Sequence, residues 1–255
     1  MTARTFVVGD VQGCVDELSD LLAAAQFVRG HDRLISVGDL VNRGPESLAV
    51  LRLARELSAD VVLGNHELHL LAVAAGLRSN GKDTFGDVLA ADDRDEMIDW
   101  LVARAEPLVL VRDFVVVHAG FPPGFHLPDD ARDVNDAVRE AWVGGGTLRE
   151  KVETILADRT VRSLTRLRYC DSAGRVPDDE DAVDPEGFLP WFAHRAPGPR
   201  IAFGHWARLD PARAVRPDLR FLDTGCVYGG SLRGWLVEED RVISVPARRE
   251  YVRVR

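Results

Sequence analysis

Short apolar runs recur along the chain, each closed by glycine and a polar residue. Arg4–Asp10 (RTFVVGD), Arg33–Asp39 (RLISVGD), Asp60–His66 (DVVLGNH), Asp113–Gly120 (DFVVVHAG) and Arg200–His205 (RIAFGH) each hold three to five apolar or β-branched residues. Runs of this kind predict strands buried on both faces. Between the first of them, Val15–Phe27, Glu46–Leu57 and Glu67–Gly76 carry apolar residues at the helical period, and Pro45 suits the first turn of the second helix. The alternation predicts an α/β fold in which loops at the C-terminal ends of strands converge on one edge.

The middle of the chain departs from this pattern. Residues 93–105 and roughly 130–160 read as helical with no strand-plus-ligand unit. They predict a helical insertion, roughly 121–165, over or beside the site of a single domain spanning 1–255. Pro177–Gly187 (PDDEDAVDPEG) reads as an acidic surface loop, solvated and without a part in chemistry. LRFLDTG, SLRGWLVE and RVISVP, near the C-terminal end, predict strands that complete a sheet.

Charge and cysteines narrow the class. A net charge of −9 argues against a nucleic-acid duplex as partner, where phosphate neutralisation dominates affinity. It leaves room for a small polyanion, because cations and local arginines reverse the field inside a cleft. Lys82 and Lys151 are the chain's lysines and the other basic residues are arginine, whose fork grips phosphate oxygens. No apolar run approaches the roughly 20 residues of a membrane span, and MTARTFVVGD reads as a first strand, not a signal peptide. Cys14, Cys170 and Cys226 are odd in number and scattered, which favours a reducing cytoplasm. Cys14 and Cys226 are most simply small buried groups. The oligomeric state is left open.

The strand-end residues carry the chemistry. Asp10 and Asp39 each follow a glycine, where backbone and cation can approach closely. Asn65, His118 and His205 add oxygen and nitrogen donors, a set that suits magnesium or manganese and, with histidine, zinc, iron or cobalt. One carboxylate can bridge two cations about 3.5–4 Å apart, polarising phosphoryl oxygens and holding a water as hydroxide. His66, next to Asn65, is placed to give a proton to a leaving oxygen, and Arg43 to grip the phosphate. Asp39 taken singly could cap a helix, and His118 or His205 could be satisfied core histidines. The ordered set GDxxG, GDxxxRG, GNHE, HAG and GH outweighs those readings. His69 reads as packing or support, and His31, His126 and His194 as surface or loop residues.

These motifs resemble the calcineurin-like metallophosphatase superfamily, and within it the symmetrical diadenosine tetraphosphatase family. The resemblance rests on GDVQGCVDEL, GDLVNRGPESL, LGNHELHLLAVAAG, VVVHAGF, TRLRYC, PWF, IAFGHWA and LDTGCVYGGSL. It implies a central β-sandwich of two mixed sheets flanked by helices, with two divalent cations, most readily Mn2+, at the strand ends. It implies that Asp10 and Gln12 hold the first cation, that Asp39 bridges, and that Asn65, His118 and His205 hold the second. His66 would be the general acid, with Arg43 and either Arg166 or Arg168 as phosphate clamps. Two positions depart from the wider superfamily: Gln12 stands where histidine is usual, and Asn42 where an aspartate orients the catalytic histidine, a catalytic place in which Asn42 can still hydrogen-bond but cannot stabilise imidazolium as a charge.

The implied reaction is symmetric hydrolysis of diadenosine 5',5'''-P1,P4-tetraphosphate to two ADP, by attack of metal-bound hydroxide on phosphorus. Trp191, Trp206 and Tyr228 are candidates to stack on a base. A protein serine/threonine phosphatase with the same metal core is the second reading. A nucleotide-binding protein without catalysis is the third.

Overall fold

The computed structural model describes residues 3–253 other than 112, 181 and 215. Its first half runs β1 (Thr5–Val8), α1 (Val15–Ala24), β2 (Arg33–Ser36), α2 (Ser47–Glu56), β3 (Asp60–Val62), α3 (Asn65–Ala74), α4 (Gly86–Leu89), α5 (Arg94–Arg104), β4 (Ala105–Glu106), β5 (Leu108–Val111) and β6 (Phe114–Val117). The second half begins with α6 (Asp129–Val143), α7 (Leu148–Ala157) and α8 (Arg159–Arg166). The short strands β7 (Tyr169–Cys170) and β8 (Leu189–Pro190) follow. Last come β9 (Arg200–Phe203), β10 (Leu219–Phe221), β11 (Asp223–Thr224), β12 (Ser231–Leu236) and β13 (Arg241–Pro246).

Two mixed sheets result. The larger is ordered β11-β12-β1-β2-β3-β4 with β13 on β12, and the smaller β10-β9-β6-β5. Neighbours β1 to β4 are parallel, whereas β12 is antiparallel to β1. Successive strand residues face opposite ways. Val7, Ile35 and Val62 of the larger sheet therefore meet Val109, Phe114, Val116 and Ala202 of the smaller in one apolar layer with Leu222 and Trp235. Their neighbours Phe6, Val8, Leu34, Val61, Val115, Val117, Ile201 and Phe203 join the cluster that also holds the apolar residues of the helices. Each such fully buried Val, Ile or Phe favours folding by about 1.5–3 kcal/mol. The fold is thus an α/β sandwich with helices packed outside.

Several local features differ from the sequence expectation. LRFLDTG is not one strand: β10 belongs to the smaller sheet and β11 to the larger, so the chain changes sheets at Leu222. Pro45 lies outside α2, which starts at Ser47. The preceding loop is tied elsewhere, through Glu46 N–H to Gly13 O (3.1 Å) and Asn42 N–H to Ser47 Oγ (2.9 Å). Helices α6 to α8 contribute Val134, Val138, Val152, Ile155 and Leu164 to the main core, with α7 against α3 and α6 against β4 and β5. Cys14, Cys170 and Cys226 are buried free thiols. Glu17, fully buried on α1, accepts from Tyr251 Oη and Arg248 N (2.8 Å each) and so anchors the C-terminal segment. No described helix is long and apolar enough to cross a membrane.

Candidate metal centre

The strand-end loops meet as the parallel topology requires. Asp10, Gln12, Asp39, Arg43, Asn65, His66, Arg166, Arg168 and His205 line one cavity of about 1000 Å3. His118, fully buried, lies behind Asp39 and Asn65. Gln12, Asp39, Asn42, Arg43 and His205 all have φ between 46° and 74°, left-handed although none is glycine. Each such residue costs about 1–3 kcal/mol and persists only where its surroundings fix it, typically at a functional site. Here the surroundings are explicit. Gln12 N–H donates to Asp39 O (2.8 Å), and Gly204 N–H to His118 O (2.8 Å). The fully buried Glu67 accepts from the backbone N–H of Asp39 (2.7 Å), Leu40 (2.7 Å) and Gly64 (2.9 Å).

The donor set around His118 tests whether a cation fits. Its Nδ1 lies 2.9 Å from Val37 O, a carbonyl that can only accept, so Nδ1 carries the hydrogen. Burial pushes the ring's pKa down, the nearby Asp39 charge notwithstanding, so the ring is neutral near pH 7. Its Nε2 lone pair then faces Asp39 Oδ1 at 3.3 Å and Asn65 Oδ1 at 3.1 Å. Donor atoms of Asp39, His118 and His205 all lie within 4.8 Å of one another. His205 Nε2 is buried with no hydrogen-bond partner among the described residues, and burial with the Arg168 charge pushes its pKa well down. Converging lone pairs with no proton between them suit a divalent cation. A carbonyl fixing the other ring nitrogen is the usual support of a metal-binding histidine.

Asp10 completes the other half. Its carboxylate accepts from His205 N–H (3.1 and 3.2 Å), and a side chain at Gly204 would stand 1.9 Å from Asp10 Oδ1. Burial, then the charges of Asp223 and Asp39, push the Asp10 carboxyl well up, a load that bound cations relieve. Gln12 is 8% exposed, and its amide makes no hydrogen bond among the described residues. Asp10, Gln12 and Asp39 therefore fit a first, oxygen-rich site. Asp39, Asn65, His118 and His205 fit a second.

His66 sits at the start of α3, its backbone N–H donating to Asp39 Oδ1 (3.0 Å) and its Nε2 3.7 Å from Asp39 Oδ2. Its Nδ1 is enclosed without a partner, so Nε2 is the nitrogen a substrate can reach. Burial pulls the His66 pKa down, while Asp39 opposes. Asn42 is not turned to His66. Its Nδ2 donates to Asp83 Oδ1 (2.9 Å), and its Oδ1 accepts from Arg43 N (2.8 Å) and Thr84 N (3.1 Å). Asp83 also pairs with His69 Nε2 at 2.8 Å.

The walls separate the two candidate clamps. Arg43 and Arg166 line the cavity with no guanidinium partner among the described residues, whereas Arg168 donates to Glu180 O (3.3 Å) and His205 O (3.4 Å). The acidic loop 177–187 is not merely solvated, because Glu180, Val183 and Asp184 form one wall. It is held there by Tyr169 Oη on Asp184 (3.0 Å) and by the Arg213–Asp184 ion pair. Tyr228 and Trp206 line the cavity as well, but Trp191 is fully buried, edge-on to Phe121, Phe192 and Phe203, and belongs to the core.

Known proteins resemble this chain in sequence and in fold. Residues 3–210 match the family model of the calcineurin-like phosphoesterases. A protein of Chromohalobacter salexigens named symmetrical bis(5'-nucleosyl)-tetraphosphatase is 44% identical, with 89% of this chain and 92% of that one covered. One of the same name from Janthinobacterium is 40% identical over 94% and 95% of the two chains. The chain belongs to the symmetrical bis(5'-nucleosyl)-tetraphosphatase family. A solved structure of a candidate diadenosine tetraphosphatase superposes with a TM-score of 0.68 at 26% identity, covering 97% and 95% of the two chains. A serine/threonine phosphatase from Saccharomyces cerevisiae, 15% identical with a TM-score of 0.58, shares the fold. Within this tetraphosphatase family frame, three acidic residues went unnoticed in the sequence: Glu67, Asp83 and Asp223. Glu67 and Asp223 stand in motifs already singled out, GNHE and LDTG. Asp83 sits in a stretch without pattern.

Proposed function

We propose that this protein hydrolyses diadenosine 5',5'''-P1,P4-tetraphosphate to two ADP. The observation that carries the reading is the convergence of Asp39 Oδ1, Asn65 Oδ1 and His118 Nε2 within hydrogen-bond range, beside the unpartnered His205 Nε2. The names of the family relatives support the substrate. Asp10, Gln12 and Asp39 would hold one divalent cation, and Asp39, Asn65, His118 and His205 the other. Manganese is the metal we favour, because oxygen donors dominate the first set. When bound, the pair supplies Lewis acidity and an activated water for in-line attack on phosphorus.

The chain's own groups do the rest. Arg43 and Arg166, without a guanidinium partner among the described residues, bind phosphate oxygens and hold the tetraphosphate with its central bridge over the centre. His66 Nε2 carries the proton that the departing ADP oxygen takes, with Asp39 Oδ2 3.7 Å away to favour the charged ring. Tyr228 and Trp206 offer aromatic faces to a base. The buried free thiols fit a reducing cytoplasm as the setting.

Chromatography of the products with Mn2+ present tests the reading. Two ADP per substrate are expected, and His66→Ala should lower kcat by about 10²–10⁴-fold. ATP with AMP, or phosphate released from a phosphopeptide but no ADP from the dinucleotide, would overturn it.

A further inference from the structure

Gln12 brings a neutral amide to the first cation where an imidazole is usual, so this half of the centre needs another donor. The larger sheet delivers one. A side chain at Gly9 would stand 2.3 Å from Leu222 O, so glycine there is what lets the Leu222 backbone lie against the end of β1. That approach brings Asp223, the next residue, beside Asp10, the residue after Gly9. Asp223 is 5% exposed and lines the same cavity as Asp10, Gln12 and Asp39. One of its oxygens, Oδ1, is occupied by the N–H of Gly225 (3.0 Å). The other makes no hydrogen bond among the described residues, and the side chain lines the cavity. A buried carboxylate held by one oxygen, on the wall of a cavity that Asp10 and Asp39 also line, has its second oxygen left to offer a cation there.

Resting on the two-cation reading above, we propose that Asp223 is a ligand of the first cation, supplying the anionic donor that Gln12 lacks. Asp10, just past β1, and Asp223, at the start of β11, then both serve that cation, with Gln12 and the bridging Asp39 completing the oxygen set. The site is thereby matched to a hard cation, and a histidine at position 12 would make Asp223 less important.

Equilibrium dialysis of the whole chain against Mn2+, with metal analysis, tests this without recourse to activity. Wild type should bind two Mn2+ per chain. Asp223→Asn keeps an oxygen to accept the Gly225 N–H, so the loop should stay folded. It should weaken one of the two equivalents by about 10–100-fold and leave the other unchanged. The double variant Gln12→His/Asp223→Asn should recover most of that loss, because an imidazole replaces the missing donor. If Asp223→Asn and Asp223→Ala both bind two Mn2+ with wild-type affinity, Asp223 is no ligand, although the two-cation reading stands. If wild type itself binds no Mn2+, the reading and the proposal fall together.

Discussion

At the scale of single residues, the most consequential group away from the cavity is Glu67. Its two oxygens take three backbone N–H groups from the ends of β2 and β3, and so fix where Asp39 and Asn65 point. Burial, then the charge of Asp39, push its carboxyl up to about 8, against the pull of those three N–H groups. An amide in its place would set a donor against a donor. Glu67→Gln should therefore lose about 1.5–3 kcal/mol of stability, the worth of one charge-assisted bond, measurable by urea unfolding. Nothing in GNHE announced this role, because two of the three bonds reach back to Asp39 and Leu40 in another loop. The clamps divide similarly. Arg166→Ala should lower kcat/KM by about 10²-fold with little change in Tm, since its guanidinium has no partner among the described residues to lose. Arg168→Ala should lower Tm as well, because Arg168 holds Glu180 and His205 by their carbonyls. Paired kinetics and thermal melts check the contrast.

At the scale of elements, the strand ends were the most legible part of the chain. A buried run followed by glycine and a ligand type recurs four times, with His118 directly after a fifth run, and parallel pairing places three of those ends side by side. Less legible was whatever depends on contacts between elements: the sheet change at Leu222, the wall built by 177–187, and the turning of Asn42 away from His66. The Asn42–Asp83–His69 link shows why, since it joins the loop after β2 to the connection between α3 and α4, about forty residues on in sequence. It also carries a pH signature. Burial alone would raise the Asp83 carboxyl, but hydrogen bonds from Asn42 and His69 outweigh it and hold it below the usual carboxylate range. A depressed acid stabilises the fold above its unfolded value of about 3.9 and loses that contribution as pH falls through the folded value. As pH falls below about 4, wild type should lose more stability than Asp83→Asn, as read by urea midpoints at successively lower pH.

At the scale of the whole molecule, the dominant fact is that Asp10, Asp39, Glu67 and Asp223 are packed together at 5% exposure or less. Without cations such a cluster should oppose folding once ionised. Burial chiefly, with neighbouring charges, raises Asp10 well up, Asp223 to about 7 and Glu67 to about 8. For acids with raised folded pKa values, the contribution is full below the unfolded values near 4 and is lost as pH rises through the folded ones. Metal-stripped protein should thus lose stability between pH ~4 and ~8. Added Mn2+ should flatten that slope and stabilise by about 2.7 kcal/mol at a hundredfold excess over Kd for one site. Calorimetry of stripped and loaded protein across that range reads both effects.

The paired-cation centre itself is tested most directly by electron paramagnetic resonance of protein loaded with two equivalents of Mn2+. Wild type should give the spectrum of an exchange-coupled manganese pair, and Asp39→Asn, without its bridging carboxylate, the six-line signal of isolated ions. A six-line spectrum from fully loaded wild type, with no coupled component, would contradict the account.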